Sequence, residues 1–426
     1  MFKMKLLFIL LIFINFMNYV DRGLISSLNI NIMEDFNITN TQSGVISSSF
    51  IAGYLVFSPL FSILVEKYNR IYLMIFGLLI WCMSTFLSGF AKSYIQMLIS
   101  RLFVGIGEAG YAIISPPIID SYSPKKTSSR WFAAYFLAIP VGFSLGFLYG
   151  GIIESHVNWH YSLILESIVM LLLTLVLFVF RNIDKTKPNT NESCNELNIN
   201  LSSRQISSLS LYKKIKYILT NKIYIYGLIV YIFYTFVIGS YSFWGPTYLI
   251  NMYNVTELES DYIFGGITIS TGLIGTFLGG LLLDKLKHKG KIITAIKINI
   301  LSLIISLIFC FCVFFIKNLI CFIVLLTLGQ LGLFVIIGPI NSIFLWSVEN
   351  NKYTNELNSN IKSLACAICT TAIHLFGDFP SPILVGFVQD NLNNWNITMI
   401  LLTLFLIPSV VFLYPQYWSA KNMVQF

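Results

Sequence analysis

The chain has 426 residues, of which 56% are hydrophobic and only 11% charged, with a formal net charge of +8 and a mean hydropathy of +0.76. A soluble domain carries about 25% charged residues, so this composition cannot clothe a water-facing surface and the fold's solvent is largely lipid. An ordinary soluble enzyme is excluded on that ground. Apolar runs of about 20 residues cross a bilayer. Twelve are expected, over 5–28, 42–65, 71–91, 94–119, 128–152, 161–181, 222–250, 260–283, 292–316, 319–347, 360–388 and 396–415.

The first run follows Lys3 and Lys5, as in a signal peptide, but no small-x-small cleavage site comes after it and apolar character resumes after Asp21-Arg22. It is read as a retained first helix. The second run ends in Glu66-Lys67-Tyr68-Asn69-Arg70. The fourth contains a literal G-x-G-x-x-G at Gly105, Gly107 and Gly110. A dinucleotide site needs a strand before that pattern and an acid about 20 residues after it. Here the surroundings are continuously apolar and the next acid beyond the motif is Asp120. The glycines are instead expected to admit a neighbouring helix at close range. After the sixth run, residues 182–221 are polar and read as a cytosolic linker, with a surface helix near Leu211–Leu219. They divide the chain into a six-helix bundle over 1–181 and another over 222–426. The eighth run ends in Asp284-Lys285, repeating the acid-then-base turn after the second. Tandem halves of this kind are a transporter architecture, and Glu66, Lys67, Arg70, Asp284 and Lys285 are expected to gate its cytosolic side.

Charge placement orients the chain. With a cytosolic N-terminus, 22 Lys and Arg fall on the cytosolic side, two (Lys92 and Lys317) on the other, and Arg22, Arg101 and Lys297 within spans. That asymmetry is the positive-inside signature, with both termini cytosolic, and it explains the net charge without nucleic acid. The seven cysteines lie almost all in spans without metal spacing and read as apolar fillers. No metal or other cofactor is expected. Three Asn-x-Thr sequons, at Asn37, Asn254 and Asn396, fall on the non-cytosolic side, as chance allows in an Asn-rich chain.

Ionisable groups at membrane depth are costly and face a partner or a cavity. Those singled out are Asp21 and Arg22 in the first span, Arg101 and Glu108 in the fourth, and His374 and Asp378 in the eleventh. Asp21 lies 16 residues beyond Lys5, and Asp378 16 beyond Lys362. Arg101 is two turns, roughly 10 Å, inside its span. These three are expected at one level. Adjacent residues point about 100° apart on a helix, so Asp21 and Arg22 should meet different neighbours. A carboxylate in a dry cavity binds a proton more readily, and a nearby cation reverses this. Asp21, Glu108 and Asp378 are therefore candidate proton carriers; the competing reading is a static ion pair that fixes packing. Arg22, Arg101, Tyr54, Trp244 and His374 are candidate substrate contacts. Phe50, Tyr135 and Tyr248 join Tyr54 and Trp244 as wall aromatics, a role that ordinary core packing contests.

The residues Asn18-Tyr19-Val20-Asp21-Arg22 resemble the first-helix motif of the Spinster family within the major facilitator superfamily. Arg101 through Tyr111 is similar to its fourth-helix signature. Ala138 through Gly142, with Trp159-His160 beyond it, resembles its fifth helix. His374 through Asp378, with Ser381-Pro382 and Gly386 through Asp390, resembles its eleventh. The resemblance implies an all-α major facilitator fold and a proton-linked or pH-sensitive carrier of lysophospholipids or sphingoid lipids. It implies residence in a lysosome-like acidic organelle or the plasma membrane, with coupling and head-group contact at Asp21, Arg22, Arg101 and Glu108. Departures are Glu66-Lys67 for the usual Asp-Arg, Leu163-Ile164 in place of a basic residue after Trp159-His160, and a turn before the eleventh span reduced to Asn and Lys362. Fewer bases are left to hold a phosphate.

The sequence is thus read as a non-enzymatic secondary transporter using alternating access, proton-coupled, for a lysophospholipid or other amphipathic lipid. A monomer is expected, because the path lies inside one chain. The alternatives are a major facilitator carrier of a sugar, amino acid or organic anion, and a receptor or sensor without transport. An intramembrane acyltransferase lacks any nucleophile–base pair to support it.

Overall fold

The computed structural model describes residues 2–123, 128–181, 210–286, 290–349 and 355–424. Most of the expected linker (182–209) lies outside them, with Cys194, Lys185, Lys187 and Arg204, as do Lys125, Lys126, Lys287, Lys289 and Lys352. The side chains of Glu66 and Arg130 are also outside the description.

Twelve helices among the described residues are long and apolar enough to cross a membrane: α1 Lys3–Ser27, α2 Asn40–Val65, α3 Arg70–Ser88, α4 Tyr94–Tyr122, α5 Ala134–His156, α6 Trp159–Phe178, α7 Lys222–Tyr253, α8 Glu257–Leu286, α9 Lys291–Phe315, α10 Leu319–Ser347, α11 Asn360–Leu392 and α12 Trp395–Asn422. They match the expected runs to within seven residues at every end, the widest gaps being at the start of α5 and the end of α12. In lipid each backbone polar group must be satisfied within the segment, which leaves the helix as the open choice for such runs. The helix expected near Leu211–Leu219 is present as Leu211–Thr220.

Asparagine does much of the capping. Asn69 and Asn158 accept from the first backbone N–H groups of α3 and α6, and Asn318 from that of Cys321 in α10. Asn37, Asn254 and Asn393 take positive φ values of 49°, 51° and 45° where helices end, the left-handed position that asparagine tolerates best after glycine. Asn396 accepts the Tyr248 hydroxyl at 2.7 Å. The three sequon asparagines therefore have local structural jobs.

By packing the chain forms two compact units. The first is 1–188 with 239–270 and 379–398; the second is 189–238 with 271–378 and 399–426. The unit boundaries cross α7, α8, α11 and α12 rather than following the linker. The reason lies in the first unit, at the end marked by the turns near 37–39, 157–158, 254–256 and 393–394, here called distal. There α7, α8 and α11 are tied onto α1, the short helix Asn29–Phe36 that follows it, α2 and α5. Asn29 Nδ2 donates to Thr247 Oγ1 at 2.9 Å, Ser27 Oγ to Asp261 Oδ2 at 2.5 Å, and Ser144 Oγ to the Gly265 carbonyl at 2.7 Å. Asp390 of α11 caps α2: it accepts from the backbone N–H groups of Asn40 (3.0 Å) and Thr41 (2.8 Å), and from both side chains. A carboxylate there also meets the positive end of the helix dipole. A Cβ on Gly44 would strike the Pro382 carbonyl, and one on Gly386 the Asn40 carbonyl, so backbone meets backbone along this contact.

In the second unit α9 packs on α10 and α12. Glu349 joins Lys291 (3.2 Å) to Lys362 (3.0 Å).

Candidate functional site

The site is built where side chains of α1 and α4 reach one another. Arg101, of which 1% is exposed, donates from Nη1 to Asp21 Oδ1 at 2.8 Å and from Nη2 to Asp21 Oδ2 at 2.5 Å. This is a bidentate pair with both members out of water. One residue along α1, Arg22 pairs with Glu108 of α4. The seven-residue step from Arg101 to Glu108 is two helical turns, and the 100° rotation from Asp21 to Arg22 sends each to its own partner. The two pairs are not equivalent: the Arg22 side chain keeps 16% of its surface, against 1% for Arg101.

Phe50 of α2 supplies the shared apolar wall. Its ring lies 4.7 Å from the Arg22 guanidinium and 6.0 Å from that of Arg101, and the Tyr19 ring lies 5.1 Å from Arg22. Rings at this range attract a guanidinium through the quadrupole of the aromatic face. Phe50 can stand there because α2 touches α4 backbone to backbone. A Cβ on Gly105 would run into the Phe50 carbonyl, and one on Gly53 into the Leu102 carbonyl. Gly107 and Gly110 admit α3 at Gly77 in the same way. The G-x-G-x-x-G of α4 is thus a helix-packing device that seats α2 and α3 close against the helix carrying Arg101 and Glu108.

Tyr54, one turn from Phe50, is within electrostatic reach of Arg22 and Glu108. Tyr135 is buried, sharing a hydrogen bond with Ser115 (2.7 Å). Trp244 has no exposed surface and donates to the Pro382 carbonyl at 3.0 Å. Tyr248 is also buried. Tyr135, Trp244 and Tyr248 are thus all packed among other residues in this structure. In the second unit His374 meets Asp378 on its own helix, Nδ1 lying 2.9 Å from Oδ2, inside a π-helical turn spanning His374–Asp378. Asp21 and Arg101 meet as the expected shared level requires; Asp378 belongs to the other unit. Of the gating residues, Lys67, Asp284 and Lys285 are exposed and Arg70 is partly buried as the first residue of α3.

The sequence reading missed Glu166 of α6. It is 1% exposed and both carboxyl oxygens are buried without a hydrogen-bond partner, yet it is close enough to Asp21 and Arg101 to interact with their charges. Its span reads as apolar as a whole, and the signal that finds it is a check of each charged residue inside each span. Asp261 and the Glu349 bridge were also missed. The distal Asp390 enters the sequence reading only as the end of a motif.

The sequence model of the Major Facilitator Superfamily matches residues 11–370. A probable sphingolipid transporter, spinster homolog 2 of Arabidopsis thaliana, is 35% identical over 95% of this chain and 85% of its own length. Protein spinster homolog 1 of Homo sapiens is 27% identical over 92% of this chain and 74% of its own. Among solved structures, a bacterial homolog to the human lysosomal transporter Spinster, inward-facing and unoccupied, superposes with a TM-score of 0.77 at 16% identity, covering 99% of this chain and 98% of that one. A mutant of the nucleoside transporter NupG gives 0.71 at 16% identity over 97% and 99%. At that identity the two structures speak to the fold alone, which is the twelve-helix major facilitator fold.

Proposed function

The chain belongs to the spinster family of the major facilitator superfamily, and from that premise we propose that it is a proton-coupled secondary transporter of an amphipathic lipid of the sphingoid or lysophospholipid kind. One observation carries the reading: two buried ion pairs stand on consecutive residues of α1, and of their two arginines Arg22 alone retains appreciable exposed surface. Such a pair can trade partners. An anionic head group that engages Arg22 takes the counter-ion from Glu108. A carboxylate that loses its cation in a dry site takes up a proton, so anion binding and proton binding become linked. Arg101 and Asp21, fully enclosed, would respond to movement of α1 against α4 rather than to direct contact. The names of the plant relatives, probable sphingolipid transporters, support the lipid class.

In this reading Tyr54 and His374 contact substrate, Asp378 shares proton traffic with Asp21 and Glu108, and the turns at Glu66–Arg70 and Asp284–Lys285 gate the side that carries the basic residues. That side, with both termini, is cytosolic, and the membrane is that of a lysosome-like organelle or the cell surface. The working unit is a monomer.

The test is transport in liposomes of labelled sphingosine phosphate and lysophosphatidylcholine, with and without a pH gradient, for the wild type and Glu108→Gln. Gradient-dependent movement of one lipid, uncoupled in the variant, is expected. Lipid movement indifferent to the gradient removes the proton role. Absence of lipid movement by folded protein removes the lipid class and directs the search to small polar metabolites.

A further inference from the structure

The buried network at α1, α4 and α6 contains two guanidinium groups, Arg22 and Arg101, and three carboxyl groups, Asp21, Glu108 and Glu166. Each arginine is matched to an acid on the other helix. Glu166 is the surplus acid. Helix α6 packs against α1, α3 and α5, and the titratable groups that face Glu166 from its surroundings are Asp21 on α1, Cys82 on α3, Arg101 on α4 and Tyr149 on α5. None of them neutralises it. Both terminal nitrogens of Arg101 are taken by Asp21. The Tyr149 hydroxyl is donated to the Ser162 carbonyl at 2.7 Å, and the Cys82 sulfur lies 3.8 Å from Thr174 Oγ1. Neither oxygen of Glu166 accepts a hydrogen bond from a donor group, and the group within hydrogen-bonding range of it is the Asp21 carboxylate, itself an acid.

An ionised carboxylate buried without a partner is among the costliest groups a protein can hold, and it neutralises instead. Asp21, an acid of the same kind, already owns the cation. We propose that Glu166 is a resident proton-binding site: it is a neutral carboxylic acid while the Asp21–Arg101 pair is closed. The consequence is a balanced exchange. If Arg101 turns from Asp21 to Glu166, the O–H bond of Glu166 breaks, an O–H bond forms on Asp21, and the buried network keeps its net charge. The site can thus switch its ion pair without drawing a proton from either aqueous phase. Use of this switch in coupling rests on the transporter reading above, whereas the protonation itself does not.

The test is infrared spectroscopy of the full chain in lipid at neutral pH, with Glu166→Gln beside it. The wild type is expected to show a carbonyl stretch of a protonated carboxylic acid that the variant lacks. Retention of every carboxylic acid band in the variant would overturn the proposal. A second variant guards against misfolding of the first. In Asp21→Asn the released Arg101 becomes available to Glu166, which then ionises, and the same band is expected to vanish; its persistence also counts against the proposal. Neither spectrum depends on a transported substrate, so failure of the lipid assay leaves this result standing, and the reverse holds too.

Discussion

Replacing Asp21 by Asn removes the counter-ion of an arginine that is 1% exposed. Leaving one charge of a buried pair alone ordinarily costs about 3–5 kcal/mol. Here the cost should be smaller, because Glu166 sits beside the orphaned guanidinium and can ionise in place of Asp21. A loss of about 1–2 kcal/mol is expected for Asp21→Asn, the remainder of that range being recovered by the substitute pair. Glu166→Gln keeps the size of a neutral acid and should cost less than about 1 kcal/mol, as for a near-isosteric change. The double variant has no acid left beside Arg101 and should approach the full ~3–5 kcal/mol. The coupling between the two sites is then about 1 kcal/mol or more, above the ~0.5 kcal/mol within which independent sites add. The assay is unfolding of detergent-solubilised protein followed by tryptophan fluorescence, as a four-member cycle at one neutral pH. The ordering expected is wild type and Glu166→Gln close together, Asp21→Asn below them, and the double variant losing clearly more than the two single losses combined. Additive losses would refute the idea that Glu166 shares Arg101 with Asp21.

Packing and charge set three more expectations. Gly105→Ala drives a methyl group into the Phe50 carbonyl; overpacking of this kind costs about 1–3 kcal/mol, visible as a lower unfolding midpoint and as weaker ion-pair-dependent transport. Asp390→Asn removes the charge that meets the start of α2 and weakens the cap by up to about 1 kcal/mol, up to about fivefold in how often that contact opens; a cysteine placed at the buried Ser43 should be alkylated faster in that background, and an unchanged rate would show that the cap does not shield Ser43. Glu349 is held below the usual carboxylate range by its hydrogen bonds to Lys362 and then Lys291. A lowered acid contributes stability above the unfolded value, near pH 4.3, and loses it as pH falls through the folded value. For so exposed a group the gain is at most about 1 kcal/mol. The stability gap between wild type and Glu349→Gln should therefore narrow as pH drops below about 4 and shrink in high salt.

The spans and the reason for the α4 glycines were legible because each is a local property. Twenty apolar residues declare a membrane helix wherever they stand, and glycine spacing within a helix declares a close neighbour. Which neighbour was not legible: nothing local says that Gly105 faces Phe50 while Gly107 and Gly110 face Gly77. The ion pairs were partly legible. Depth along the helix brought Asp21 and Arg101 to one level, and helical rotation gave Asp21 and Arg22 separate partners, but the assignment of Arg101 to Asp21 and Arg22 to Glu108 needed the placement of the two helices. Trp244 and Tyr248 show the opposite limit. An aromatic in a transporter helix reads the same whether it faces a path or a packed interface, and only placement showed them bonded to Pro382 and Asn396.

Glu166 is the sharpest case, because its meaning is a sum over helices rather than a property of one. Alone in α6 it is a single acid in an apolar run, indistinguishable from a residue at a lipid-facing defect. Its significance appears when the charges brought by α1 and α4 are counted and found already spent on each other. A surplus acid in a closed, dry network carries either an unmatched charge or a proton, and burial makes the first far more expensive than the second. The same count explains why consecutive charges on α1 suit a switch. Asp21 and Arg22 are rigidly linked, so a small rotation of α1 strains both of their pairs together. The proton on Glu166 then decides whether Arg101 has anywhere else to go.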